Sequence, residues 1–348
     1  MKPDTIVPAR ETASGARREG PFVRRLLKLA LQKPELAATL LLVLLVVVFQ
    51  TTSGGYFLSY ANLRGLLGFL PEMAIVAVGV TLLMICGEFD LSVGSVFALM
   101  PMSLAVLMTM GWAFWPAMLV GLTVCAMIGF LNGWLTLRFN IPSFITTLGM
   151  LFMARSLTVV ISGGFPPRLD MAAIPEHLFV SFVGPGELLR ASFLWFAAIA
   201  LAVGLLLART NFGNWVRATG GFLPAAGAMG IPTGRVKITC FVLCSMLAGF
   251  AGMIQVLRLG SPLPSIGEGL ELQAVAAAVI GGASLLGGVG SILGGVIGAT
   301  LIRVIDNGMV LSQVDSNWFK FAVGALTILA VVANASLRKR GRAMKVET

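Results

Sequence analysis

The stretch CGEFDLSVGS, residues 86–95, carries two carboxylates two residues apart, Glu88 and Asp90, between two long apolar runs. Acids placed in this way hold a cation or a polar solute, cap a helix, or mark a loop. Charge at membrane depth is costly and needs a partner or a function. Asp90 stands directly before Leu91, Ser92 and Val93, where an apolar run begins. It is therefore expected to cap that helix by accepting its free N–H groups. Glu88 has no such place; with Ser92 and Ser95 it is a candidate contact for a polar solute. Its expected cation is Arg155, inside a later apolar run. Asn132, Thr147 and Asn307 are further polar groups in or beside such runs. They read either as interhelical hydrogen bonds or as the lining of a wet path.

Other chemistry is thinly represented. Cys86, Cys125, Cys240 and Cys244 all lie in apolar segments with no histidine beside them. They read as packing residues, with neither metal nor disulfide expected. His177 is the single histidine, which argues against a histidine proton relay. None of the seven lysines follows a glycine, so no phosphate-binding loop can be built and no cofactor is expected. The chain is not expected to be an enzyme.

The elements that must position these residues follow from composition. Of 348 residues 57% are hydrophobic and 11% charged, too few charges for a soluble globular chain. Apolar runs of roughly 20 residues recur, as in a polytopic membrane protein built of helices. Ten are expected, at 35–52, 65–86, 91–110, 114–137, 143–162, 192–208, 236–257, 272–286, 289–306 and 318–334. The eighth and ninth are short and glycine-rich, and fit either two short helices or a re-entrant pair.

The net charge of +10 sits largely in two basic tails, 1–34 and 338–348, flanking a single membrane domain over 35–337. Lipid headgroups and the positive-inside rule account for it, with no nucleic-acid partner. Basic tails on one side require an even number of crossings. Both termini and the basic loop 209–237 are then expected in the cytoplasm. Two blocks, 62–162 and 236–334, hold four runs each and start five runs apart, which predicts an inverted repeat. DLSVGSV (90–96) also resembles LGGVGSI (286–292).

Loop 209–237 has a pattern of its own. Pro224 suits the first turn of a helix, Ala225, Ala226 and Met229 continue it, and Gly230 can end it. Gly220 and Gly221 are expected to form the turn before it. A short helix with apolar neighbours, on a long cytoplasmic loop, fits a knob that seats in a groove on another chain.

Six ordered motifs then carry a resemblance: GEFDLSVGS (87–95), LNGWLTLRFNIPSFITTLG (131–149), FGNWVRATGG (212–221), GIPTGRVKI (230–238), GEGLELQAVAAAVIGGASLLGGVGSILG (267–294) and DNG (306–308). The chain resembles the permease subunits of bacterial ATP-binding-cassette importers for monosaccharides, of the ribose, xylose and arabinose type, from about residue 62 to 334. It departs from that pattern at Phe222, Leu223, Leu270, Gln273 and Asp306, which points toward a polyol or an unusual sugar.

The resemblance implies a cobalamin-importer-like permease fold in the bacterial inner membrane. It also implies a second permease subunit, cytoplasmic ATPase chains and a periplasmic sugar-binding protein. Loop 209–237 would be the coupling loop, and Arg258, Glu268 and Glu271 would lie on the rim where the binding protein docks. The rival reading is an ion-coupled secondary transporter that works without an ATPase.

Overall fold

The structure is a computed structural model that describes residues 34–346 apart from 185 and 316. Of the basic segments, residues 1–33, 347 and 348 lie outside the described residues. The helices in chain order are α1 (Pro34–Thr52), α2 (Tyr60–Ile85), α3 (Val93–Thr109), α4 (Phe114–Arg138) and α5 (Ser143–Ile161). A connector follows, with α6 (Glu176–Phe179) and a small antiparallel hairpin of β1 (Phe182–Val183) and β2 (Leu189–Arg190). The chain continues through α7 (Ala191–Arg209), α8 (Asn211–Gly221), α9 (Leu223–Ala228), α10 (Thr233–Leu259), α11 (Leu270–Ile280), α12 (Ile292–Leu311) and α13 (Trp318–Val346).

Each of the ten apolar runs therefore holds a helix, and the chain is an all-α, multi-pass membrane protein. The expected boundaries need correction, however. Among the described residues seven helices are long and apolar enough to cross a membrane, while α3, α11 and the apolar part of α13 are shorter. The run expected over 272–286 stops at Ile280. Helix α11 has 11 residues, about 16 Å of length, against a hydrocarbon core of roughly 30 Å. Glycines end it: Gly282, Gly287 and Gly288 all have positive φ, so the chain returns through 281–291 as non-helical backbone. At the other end, α13 continues through Val346, so the expected C-terminal tail extends a helix.

Helices α2 and α10 form the axis of the bundle. Their apolar windows are 83% and 67% buried, against 6% for α1. They run antiparallel, with Glu72 beside Arg258 and Gly79 against Cys244. Around them the packing is ordered in pairs. Helix α4 lies along α10 as α12 lies along α2; α3 packs on α4 and α5, as α11 packs on α12 and α13. In this order the break after α2, residues 86–92, stands opposite the break after α10, residues 260–269. The likeness between 90–96 and 286–292 joins different places, because 286–292 leads into α12. Glycine-rich turns resemble one another whatever they connect.

Close approach at these crossings depends on missing side chains, as is usual where no hydrophobic drive separates helix from lipid. A Cβ on Gly129 would stand 2.6 Å from the Phe241 carbonyl oxygen, and one on Gly252 would overlap that of Phe97. Gly204, on α7, has nothing within 4 Å. We expect Gly252→Ala to lose about 1–3 kcal/mol through forced backbone displacement, whereas Gly204→Ala is neutral or slightly stabilising. Thermal unfolding of the detergent-purified variants checks this; equal melting temperatures would contradict the packing described.

Candidate functional site

The break after α2 is the point where the bundle must solve a backbone problem. Residues 88 and 90–95 are buried, yet the chain from 86 to 92 is not helical. Non-helical backbone at membrane depth persists only where protein satisfies it. Gly87 turns the chain with φ +88. The Glu88 N–H donates back to the Leu83 carbonyl at 3.2 Å. The Phe89 N–H donates to Ser143 Oγ at 3.2 Å, and the Leu91 N–H to Thr147 Oγ1 at 3.1 Å.

The spacing is geometric. Two residues of extended chain advance about 6.6 Å and four residues of helix about 6 Å, so two N–H groups at i and i+2 meet two hydroxyls at i and i+4 on α5.

Asp90 is fully buried. Its Oδ1 accepts from the Ser92 N–H at 2.8 Å and from Ser92 Oγ at 2.6 Å. Asn132 Nδ2 approaches both carboxylate oxygens at 3.5 and 3.4 Å and donates to Ser92 Oγ at 3.0 Å. Ser245 Oγ donates to Oδ2 at 3.4 Å. The expectation for Asp90 as a helix cap is thus corrected. Helix α3 begins at Val93, and only one of the donors to Asp90 is backbone. The carboxylate is the hub of a polar cluster joining α3, α4 and α10.

The expected ion pair is also corrected. Glu88 Oε1 pairs with Lys237 Nζ, both side chains being mostly buried. Arg155 instead donates from Nη1 to the carbonyls of Pro264 and Ile266 and from Nη2 to that of Gly94. Distance along α5 explains this. Ser143 is level with Phe89, while Arg155 stands twelve residues further, about 18 Å. Arg155 therefore staples the start of α3 to the break 260–269. Glu271 closes the same place: a Cβ on Gly94 would overlap its carboxylate.

The remaining candidates are placed separately. Ser95 Oγ donates to the Leu151 carbonyl at 2.8 Å. Thr147 donates to that of Ser143, also at 2.8 Å. Asn307 lies elsewhere, in a reciprocal amide pair with Asn62, 2.9 Å each way, tying α12 to α2. Asn132 Oδ1 is buried with no hydrogen-bond partner. Arg258 is not a free rim charge. It pairs with buried Glu72 at 2.9 Å and lies over the Phe69 ring. Glu268 is exposed. Beside Arg258, a cleft of about 330 Å³ is lined by Arg64, Arg190, Phe69 and Phe182.

At the opposite end, α8 and α9 cover the bundle. Gly220 and Gly221 are not a turn; they are the last residues of α8, and extended Phe222 makes the corner. Helix α9 is capped as expected, with Pro224 in its first turn and Gly230 left-handed at φ +78. Ala226 alone of 221–230 is buried, while Phe222, Met229 and Pro224 are exposed. Ser143, Ser245 and Lys237 escape sequence reasoning as site residues. A lone hydroxyl in the run CFVLCSMLAGF and the four-residue spacing of Ser143 and Thr147 are the signals that mark them.

Residues 62–331 match the family described as branched-chain amino acid transport system, permease component. The autoinducer 2 import system permease protein LsrC of Salmonella typhimurium is 32% identical over 308 residues, 87% of this chain and 86% of its own. The LsrC proteins of Shigella flexneri and Escherichia coli K12 are 32% identical over 319 residues, 90% of each chain. No solved structure matches the chain.

Removing the Asp90 carboxylate leaves several buried donors unpaired, each costing about 1–3 kcal/mol if nothing replaces it. Asp90→Ala is therefore expected to unfold at a clearly lower temperature than Asp90→Asn, which keeps one acceptor oxygen. Fluorescence-detected melting of the two variants decides; equal melting points would remove Asp90 from the centre of the cluster.

Proposed function

Because the chain belongs to the permease-component family of branched-chain amino acid transport systems, we propose that it forms the membrane route of an ATP-driven importer for a monosaccharide or polyol. The observation that carries the ATP-driven part is α9. It is a compact, capped helix with Met229 at 82% and Phe222 at 67% exposure, on the end of the bundle rather than on a lipid-facing helix flank. Apolar residues in such a place fit burial in a partner's groove. Pro224, Ala225, Met229 and Gly230 then form the ATPase contact, while buried Ala226 holds α9 to the bundle.

The charge balance supports a cytoplasmic place for this end. Among the described residues Arg138, Arg209, Arg217, Arg235 and Lys237 lie there, with Glu35 and Glu88 as acids among them. The other end mixes Arg64, Arg190, Arg258 and Lys320 with Glu72, Glu176, Glu187 and Asp315. On the positive-inside rule the α9 end, and with it both termini, faces the cytoplasm of a bacterial inner membrane. In the cleft at the far end Arg64 and Arg258 already pair with Glu187 and Glu72, which leaves Arg190 as the cation suited to an acidic group of a periplasmic binding protein; Arg258, Glu268 and Glu271 stay candidates for its docking rim. A second permease subunit completes the route, as in importers of this kind.

The substrate class is inferred from two observations. The relatives at 32% identity are named for autoinducer 2, not for an amino acid. The buried cluster offers Asp90, Ser92, Ser95 and Thr147, with Asn132 Oδ1 left open for one more donor. Hydroxyl-rich solutes fit such a mixture of donors and acceptors. In this conformation the cluster is closed on itself, so the route opens by rearranging it. Nothing in the family match favours an ion-coupled carrier.

Uptake into proteoliposomes holding the permease with its ATPase and binding protein tests the proposal. Labelled autoinducer 2, ribose and a pentitol are compared with leucine. Uptake of a polyhydroxylated solute is expected only with ATP and binding protein; uptake driven by an ion gradient alone would overturn it. Met229→Asp is expected to insert normally and to bind the ATPase at least about tenfold more weakly, or about 1.4 kcal/mol. Unchanged co-purification would leave α9 as a connector.

A further inference from the structure

Three stretches of backbone meet at the α9 end of the bundle with no side chain between them. One is the end of α2 and its turn, residues 85–87. Another is 287–288, in the return after α11. The third is Gly220, next to last in α8. The Gly288 N–H donates to the Ile85 carbonyl at 2.8 Å. Gly220 lies against this bond: a Cβ there would overlap the Ile85 oxygen and stand 2.7 Å from the Gly288 nitrogen. A Cβ on Gly287 would stand 2.8 Å from the Gly87 Cα and 2.6 Å from the Gly220 oxygen. One turn earlier on α8, Arg217 Nη1 donates to the Gly290 carbonyl at 3.1 Å. Gly87 and Gly288 have φ of +88 and +73, a backbone that side chains disfavour.

A contact between backbones differs from one between side chains. It has no rotamer with which to absorb a displacement, and close-packed matter transmits strain. Helix α9 follows α8 after one residue, Phe222. A shift of α9 along the bundle axis therefore presses Gly220 against the break 86–92 and the return 281–291 at once. One break leads within three residues from Gly87 to Asp90. On its way it passes Glu88, whose pairing with Lys237 ties the same turn to the start of α10.

We propose that Gly220 is a positioning residue for transport, the point at which movement of the cytoplasmic loop is passed by backbone contact into the break 86–92 and the return 281–291, and so to the Asp90 cluster. The proposal rests on α9 being the ATPase contact. Gly220 does not touch the solute.

Adjacency alone does not establish coupling, so two variants one residue apart are compared. Gly220→Ala meets backbone on two sides. Gly221→Ala meets only the Gly288 Cα, at an ordinary 3.9 Å. Both are reconstituted with the ATPase and binding protein.

Gly220→Ala is expected to co-purify with the ATPase as wild type does, while uptake per assembled complex falls at least about tenfold, a size reached by coupling changes in such networks. Gly221→Ala should keep uptake within about twofold of wild type. Full uptake by Gly220→Ala, or loss of its ATPase, would overturn the proposal; the second result would make Gly220 a docking residue. A wild-type permease that does not bind the ATPase would defeat the underlying reading instead, and that is seen before any variant is made.

If Gly220→Ala does not fold, amide hydrogen exchange on the wild-type complex gives the decision. Adding a non-hydrolysable ATP analogue should change protection in 86–92 and 284–290 together with 218–230. Change confined to 218–230 would overturn the proposal.

Discussion

Unpaired backbone cannot stay in a membrane, and the structure is organised around that constraint. Helix α2 ends at Ile85 and α3 begins at Val93, so the residues between need partners from elsewhere. Ser143 and Thr147 supply two of them, and Asp90 folds back to serve the Ser92 N–H. A buried carboxylate then needs donors of its own, which brings in Asn132 from α4 and Ser245 from α10. Four helices are thereby fixed at one level by the needs of a few residues of irregular chain. The glycine crossings at Gly129, Gly133 and Gly252 let α4, α10 and α3 come near enough for this to happen.

Charges follow the same logic at a longer range. Arg155 spends its guanidinium on the carbonyls of Gly94, Pro264 and Ile266 rather than on a carboxylate. Those carbonyls belong to the first turn of α3 and to the break 260–269. A planar guanidinium with several donors suits such a convergence, which a point-charge ammonium would serve less well. Lys237 does the simpler work, neutralising Glu88 where the break leaves α2. Each break is thus held by its own cation, and neither cation reaches the other.

What the sequence discloses and what it withholds divide along physical lines. Apolar runs and the caps of α9 are local, and residues 35–52, 114–137 and Pro224 to Gly230 read correctly from their own neighbours. Asp90 and Glu88 stand out because acids are rare in apolar surroundings. Their partners do not, since pairing depends on helix levels in space: Arg155 was the obvious intramembrane cation, and it lies about 18 Å too far along α5. Gly220 and Gly221 read as a turn because glycine disfavours helix, yet tertiary contact at Gly220 needs a residue without a side chain and overrides the propensity. The V-G-S likeness misleads for a related reason, as small residues recur wherever backbones touch.

The closed cluster sets a condition on any movement that opens it. Opening it by pulling donors away from Asp90 would leave a carboxylate unpaired at membrane depth, with a penalty far above that of a surface ion pair. Two courses avoid this. Water or a hydroxylated solute takes over the released bonds as they break, or the segment 86–92 moves with its partners as one body. The pairings with Ser143 and Thr147 join it to α5, and Ser245 joins it to α10, so a rigid movement must carry at least one of these helices along. Asn132 favours a mixed course. It touches both Asp90 and Ser92, sits on a helix that follows α10 closely, and has an amide oxygen with no partner. It is the member of the cluster that can accept a new donor before giving up an old one.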